Sequence, residues 1–387
     1  MIPRRQRAVP AAGGARASLC DNRGPHRIRR FPVLLPFAEF TPVLAAPVDC
    51  APMAAIVGRT VAGPGLTLRG YATVRADGEW IRIGANAFFA ERATVHIADR
   101  RLGAAMGDDV TVGRFALVHA CTLGSRVVVG DNAVVMDGAS VGDGSLIAAG
   151  SLVAPFKQLP GGFVYAGNPA VAVRRIEADE LAAAAASIRA GAPLPEILDA
   201  DLPPLDMASY AAALGGHHGL HPIGGVMPRV ARAYVAPTAL VAGDVEIADD
   251  AGVYFACAVI AGDGRIVIGP RTNVQDNCLF VTDAARGPLV LGAGVTIGHN
   301  VRMGAATIHD DALVGMGAQV GDGVVVLPGG CIGARSLVEP GTVVDAGWIW
   351  AGRPARAFRA VRPVEREMFA SGCAAYVGYG ETYLSQA

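Results

Sequence analysis

Along much of this chain, apolar residues return every sixth position. In the first half they are Leu123, Val129, Val135, Val141, Ile147 and Val153; in the second, Ile308, Val314, Val320, Val326, Ile332, Val338 and Val344. Glycine follows many of them, as in Leu123-Gly124, Val129-Gly130 and Val141-Gly142. A period of six is neither the 3.6 of a helix nor the alternation of an ordinary strand. It is the period of a parallel β-helix, in which each face of a prism is one short strand long. The apolar residue points inward, and Gly, Asn or Asp takes the corner angles that bulkier residues resist. Three faces close one coil of about 18 residues. The pattern therefore predicts an all-β solenoid of hexapeptide repeats.

The two halves are copies at a constant offset of 185. Ile83-Gly84 matches Ile268-Gly269, Val112-Gly113 matches Ile297-Gly298, and Tyr165-Ala-Gly-Asn-Pro-Ala170 matches Trp350-Ala-Gly-Arg-Pro-Ala355. Even the single five-residue step is shared, Val118 to Leu123 and Met303 to Ile308. The upstream match of Ala51-Pro-Met-Ala54 to Ala236-Pro-Thr-Ala239 sets the start of the first copy near residue 45. The Ala-rich run Glu177 to Arg189, acidic in its first turn, predicts a flanking helix. Val364 to Ala374 is the candidate for its counterpart. The expected organisation is an extension over 1–45, disordered or translated from a mis-called start. A first β-helix with its flanking helix over 46–190 follows, then a Pro-, Gly- and His-rich linker over 191–228 and a second β-helix with a C-terminal tail over 229–387.

Composition supports this fold and narrows the function. Hydrophobic residues make up 52% of 387 but aromatics only 6%, with 50 Gly. Such a core is small and β-branched, as thin repetitive strands require. The formal net charge of −1 gives no electrostatic footprint for nucleic acid or an anionic membrane. The seven scattered cysteines form no CxxC pair and suit a reducing cytoplasm. Phe31 to Ala46 follows a basic stretch as an export signal would. Two internal prolines and Glu39 interrupt its apolar region, so a cytoplasmic location is expected.

The chemistry-bearing motifs lie in equivalent places of the two copies. The first reads Val74-Arg-Ala-Asp77, Ala93-Thr-Val-His96 and Val112-Gly-Arg-Phe-Ala-Leu-Val-His119. The second reads Val259-Ile-Ala-Gly-Asp263, Asn273-Val-Gln-Asp-Asn277 and Thr296-Ile-Gly-His-Asn300. Over roughly 50–175 and 235–360 these resemble the γ-class carbonic anhydrases, left-handed β-helices of the hexapeptide-repeat superfamily. That family carries Arg-Gly-Asp, then Gln-Asp-Asn with a His four residues on, then Gly-His with a further His five residues later. Neither copy has all three histidines. The first keeps His96 and His119, with Arg114 at the middle position. The second keeps His299, with Val281 and Gly304 at the others.

In the family the metal lies between subunits of a trimer, one supplying the first and third His and its neighbour the second. The resemblance therefore implies a mixed junction of copy one with copy two, where His96, His119 and His299 bind Zn²⁺ (or Fe²⁺) and leave one position open. Water there would ionise near neutrality and attack CO₂ to give bicarbonate. Arg75, opposite Ala261 in this reading of the alignment, would pair with Asp276. Asp77 would orient Arg75 or the bound water, and Asn273 and Gln275 would stand behind the ligands. Rings of copies drawn from a homo-oligomer, trimeric in the plane of the copies, would carry two metals for every three chains. Arg100 to Asp108 is too short and too little acidic for the glutamate proton-shuttle loop of the fastest members.

Two other classes share the fold: hexapeptide-repeat acyltransferases or thioesterase-like relatives, and non-catalytic β-helical assembly proteins. The former would bind CoA without metal, and the latter would bind neither. His217-His218-x-x-His221 in the linker is a His cluster of the kind more often solvated than ligating.

Overall fold

The computed structural model describes residues 33–192 and 218–386, and it is an all-β solenoid built twice. In the first copy, Val112, Val129, Ile147 and Tyr165 stack in parallel register, each a coil above the last. Every residue of the two six-residue series is buried. Each such Val, Ile or Leu contributes about 1.5–3 kcal/mol by leaving water, which is how a chain poor in aromatics holds a long prism together.

Two strands of the first copy, Ala55–Ala62 and Thr73–Ile83, are long enough to bend round a corner. They join two faces of the prism into one 12-stranded sheet, and the third face is an 8-stranded sheet. The bend at Gly58 needs glycine: φ is +66°, and a Cβ there would run into the carbonyl oxygen of Ala76. The second copy has three separate faces of seven, seven and eight strands. Both prisms end in an antiparallel hairpin, Phe163–Gly167 with Ala170–Arg175 and Trp348–Gly352 with Ala355–Ala360.

The first prism begins before the boundary set at residue 45. Val33–Leu35 and Val43–Leu44 already pair in parallel with Ala55–Ala62. The second prism likewise begins inside the segment read as linker, with Gly219–His221 pairing with Leu240–Ala242. These first coils lack the glycine-punctuated period of six, so the pattern did not mark them. The expectations for residues 1–32 and 193–217, His217 included, lie outside the described residues.

Helix α1, Ala178–Arg189, buries Leu181, Ala184 and Ile188 on one face. Its counterpart α2 is longer than Val364–Ala374, running Pro363–Gln386, and it buries Tyr376, Tyr379, Gly380 and Tyr383. Among the described residues no helix is long and apolar enough to cross a membrane.

Candidate metal centre between the two copies

Parallel register builds half of the site. On one face of the first prism, Val57, Arg75, His96 and His119 stand in one column on successive coils. Neighbouring strands lie about 4.7–4.9 Å apart, so two imidazoles projecting from the same side converge. The equivalent column of the second prism is Ala242, Ile260 and Val281, followed by Gly304. The residue opposite Arg75 is thus Ile260, not Ala261; the constant offset of 185 requires the same. Gly304 faces Asp322, the counterpart of Asp137, so the second copy keeps the carboxylate but lacks the imidazole it would face.

The other half comes from the second prism. His299 follows the strand Thr296–Ile297 at a corner that abuts the first prism. Asn277 Nδ2 donates to Arg92 O at 3.0 Å and to Thr94 Oγ1 at 2.5 Å, and Asn300 Nδ2 donates to Phe115 O at 2.7 Å. Arg335 donates to the carbonyl of Gly150. Residues 92 and 277, 115 and 300, and 150 and 335 are equivalents in the two copies, so matching positions meet across the junction. One chain alone brings the two copies together. The count implied is one triad per chain, which replaces the two per three chains expected from rings of separate copies.

At the junction three imidazoles converge, all buried. His96 Nδ1 lies 3.2 Å from His119 Nε2 and 3.2 Å from His299 Nε2. The outer nitrogens each face a different carboxylate. His96 Nε2 is 3.0 Å from Asp77 Oδ1, His119 Nδ1 is 2.5 Å from Asp137 Oδ1, and His299 Nδ1 is 3.1 Å from Asp276 Oδ2. With their N–H groups turned to the carboxylates, the inner nitrogens present three lone pairs to one another. That arrangement is repulsive unless a cation sits among them. Burial, together with Arg75 and the neighbouring imidazoles, holds His96 well below its usual pKa, and burial brings His299 down to about 4. At neutral pH, protons on His96 and His299 therefore do not supply the positive charge. A tetrahedral metal with nitrogens at 2.0–2.1 Å separates them by about 3.3 Å; two of the separations match this, and all three ligand atoms lie within 4.8 Å of one another, so the donor set suits such an ion. The carboxylates behind the rings are the partners that orient metal-binding histidines.

Arg75 ties this shell together. Its Nε donates to Asp276 Oδ2 at 3.0 Å, its NH1 to Asp77, and its NH2 to the Tyr376 hydroxyl at 3.1 Å. Burial opposes its charge, but Asp276 and Asp77 raise its pKa well above the ordinary value. Burial also works against an ionised Asp276, yet Arg75 and His299 bring its pKa down to about 2. The Arg75–Asp276 and Arg75–Asp77 contacts expected from the sequence are both present. Asn273 and Gln275 are buried too, but their hydrogen bonds lead to Thr296 and not to the imidazoles. Gln275 Nε2 donates to Asn273 Oδ1 at 3.3 Å, and Asn273 Nδ2 donates to Thr296 Oγ1 at 3.0 Å. His221 Nε2 faces the carbonyl of His218 at 2.8 Å and takes no part in the triad.

Sequence reasoning missed Asp137 and the tyrosines of α2. Asp137 lies one coil of 18 residues beyond His119, so the repeat itself could have found it. Tyr376, Tyr379 and Tyr383 share one helical face that begins just beyond the expected helix end. The Tyr376 hydroxyl is 3.4 Å from His299 Nε2. Tyr383 donates to Asp77 Oδ2 at 3.1 Å and Tyr379 to Asp99 Oδ1 at 2.6 Å. Through them α2 of the second copy covers residues of the first. Burial keeps the Tyr376 phenol protonated, its pKa well above the usual value.

Comparison with known proteins agrees with the repeat fold. The family model for bacterial transferase hexapeptide repeats matches residues 120–155. Gamma carbonic anhydrase 2, mitochondrial, of Arabidopsis thaliana is 33% identical over 158 residues, 40% of this chain and 57% of that protein. The chain thus spans little more than half the length of that plant relative. Protein YrdA of Escherichia coli is 35% identical over 175 residues, 43% of this chain and 95% of YrdA. A carbonic anhydrase of Geobacillus kaustophilus is 36% identical over 148 residues, 36% of this chain and 77% of the bacterial enzyme. With its hexapeptide period, its doubled solenoid and these likenesses, the chain belongs to the γ-carbonic-anhydrase-like proteins of the hexapeptide-repeat superfamily.

Proposed function

We propose that this chain catalyses the reversible hydration of CO₂ to bicarbonate at a Zn²⁺ or Fe²⁺ held by His96, His119 and His299. The observation that supports it most is the convergence of three buried imidazole nitrogens, each ring backed by its own aspartate. A metal held there acts as a Lewis acid and lowers the pKa of water bound to it toward neutrality. The chain's own residues do the rest. Asp77, Asp137 and Asp276 fix the ring orientations, and Arg75 locks two of those carboxylates in place. The protonated Tyr376 hydroxyl, within hydrogen-bond reach of the triad, is a donor for an oxygen of substrate or product. The tyrosines of α2 exclude bulk water from this side. Because the site is complete within one chain, ring assembly is not needed for catalysis, and a cytoplasmic location remains the reading.

Stopped-flow CO₂ hydration by protein loaded with zinc, or with iron under anaerobic conditions, tests the proposal. Activity that disappears in His299→Ala supports it, and no activity in fully metal-loaded protein rejects it. Parallel titration with acetyl-CoA separates the acyltransferase class, which binds that donor without metal.

A further inference from the structure

The duplication offers an internal control for every element, and the flanking helices differ most. In the first copy helix and sheet pack flush. Leu181, Ala184 and Ile188 of α1 rest on Phe88, Val128, Leu146 and Val164. Arg189 Nε caps the hydroxyl oxygen of Thr111 at 3.0 Å. In the second copy the tyrosines draw α2 toward the junction, where it lies on the strands Tyr234–Val235, Gly252–Val253 and Asn273–Val274. Between its first turns and the later coils a groove of about 650 Å³ opens, a size that takes a small organic ligand.

The offset of 185 shows what changed. Arg189 corresponds to Ala374, Phe88 to Asn273, Ala90 to Gln275 and Leu181 to Arg366. Thr296, the counterpart of Thr111, therefore meets the groove without a guanidinium cap. Its Oγ1 accepts from Asn273, whose Oδ1 accepts from Gln275. The Gln275 side chain is 5% exposed, and its Oε1 has no hydrogen-bond partner among the described residues. With its oxygen engaged by Asn273, the Thr296 O–H is a donor that lies beside the Cys373 sulfur, and an anion would take it from that weak acceptor. Arg271 and Arg366 line the groove against the single acid Asp311, and neither guanidinium forms an ion pair with a described carboxylate. Leu313, Phe369 and Val377 make up an apolar wall.

We propose that this groove is a second binding site, for an organic anion. Its carboxylate head is held by Arg271, Arg366 and the Thr296 hydroxyl, and its apolar body lies on Leu313, Phe369 and Val377. The ligand fills the gap that side chains of α1 fill in the first copy, so it braces α2 against the sheet.

The test is calorimetric titration of the full metal-loaded chain with octanoate, with bicarbonate and inorganic phosphate as probes of the head alone. Octanoate is expected to bind. Arg271→Ala and Arg366→Ala should each weaken it about tenfold, the scale of one charge-assisted contact. Ala374→Arg, which restores the first copy's cap, should abolish binding. Metal content should be unchanged in all three variants. Absence of octanoate binding, or affinity indifferent to the three substitutions, overturns the proposal. Bicarbonate or phosphate binding as tightly as octanoate overturns its organic part. None of these outcomes depends on CO₂ hydration.

Discussion

Arg75 and Asp276, 201 positions apart in the chain, form a fully buried ion pair, with Arg75 Nε donating to Asp276 Oδ2 at 3.0 Å. One residue comes from the face column of the first prism and the other from a corner of the second, so the pair welds the copies where the imidazoles meet. Removing Asp276 leaves the buried Arg75 Nε without its partner and only Asp77 to balance the guanidinium. Asp276→Ala should cost about 3–5 kcal/mol, read from urea denaturation. The double variant Arg75→Met with Asp276→Leu should recover little of that loss, because it strips the buried Asp77 of the guanidinium that balances it.

Metal content should approach one per chain in reconstituted protein, since a single chain supplies His96, His119 and His299. Alanine at any of the three should bring it near zero by elemental analysis. A value near two per three chains would instead mean that the copies exchange between chains.

The metal-free protein should lose stability on mild acidification. His96 and His299 are both held below the ordinary imidazole range, His299 at about 4 against 6.5. Between those values the unfolded chain binds more protons than the folded one, so stability rises with pH there. The contribution is complete above about pH 6.5 and is lost as pH falls toward 4. Urea midpoints measured across that range should slope accordingly, and the slope should flatten in His299→Gln.

Asp137→Asn should weaken metal binding about 10–100-fold, the usual effect of losing the partner that orients a ligating histidine. Asp137 is the most exposed of the three carboxylates, with a third of its side chain open to solvent. Competition with a chelator should therefore detect the change without loss of fold.

Tyr376→Phe keeps the ring that packs beside Arg75 and His96 but removes the hydroxyl. Metal content should stay near one, and the CO₂ hydration rate should fall about tenfold, the worth of one hydrogen bond made in a buried site. An unchanged rate would assign Tyr376 to covering the site only.

The six-residue period alone settled the architecture, because each inward residue meets its neighbours about one coil away in sequence. The offset of 185 settled the duplication, and the resemblance to the γ-class carbonic anhydrases, read in both copies, singled out His96, His119, His299, Arg75 and Asp276. The tertiary structure decided where the two halves meet. A contact spanning 201 or 203 positions depends on how two rigid prisms dock, and no local period encodes that. It made the junction internal to the chain, changing the expected metal count. It also carried α2 past its expected end to lay three tyrosines over the first copy, and in leaning there the helix opened the groove behind it. These features arise from the packing of whole bodies, in which a shift of a helix across a sheet changes many contacts at once while leaving the repeat beneath it untouched.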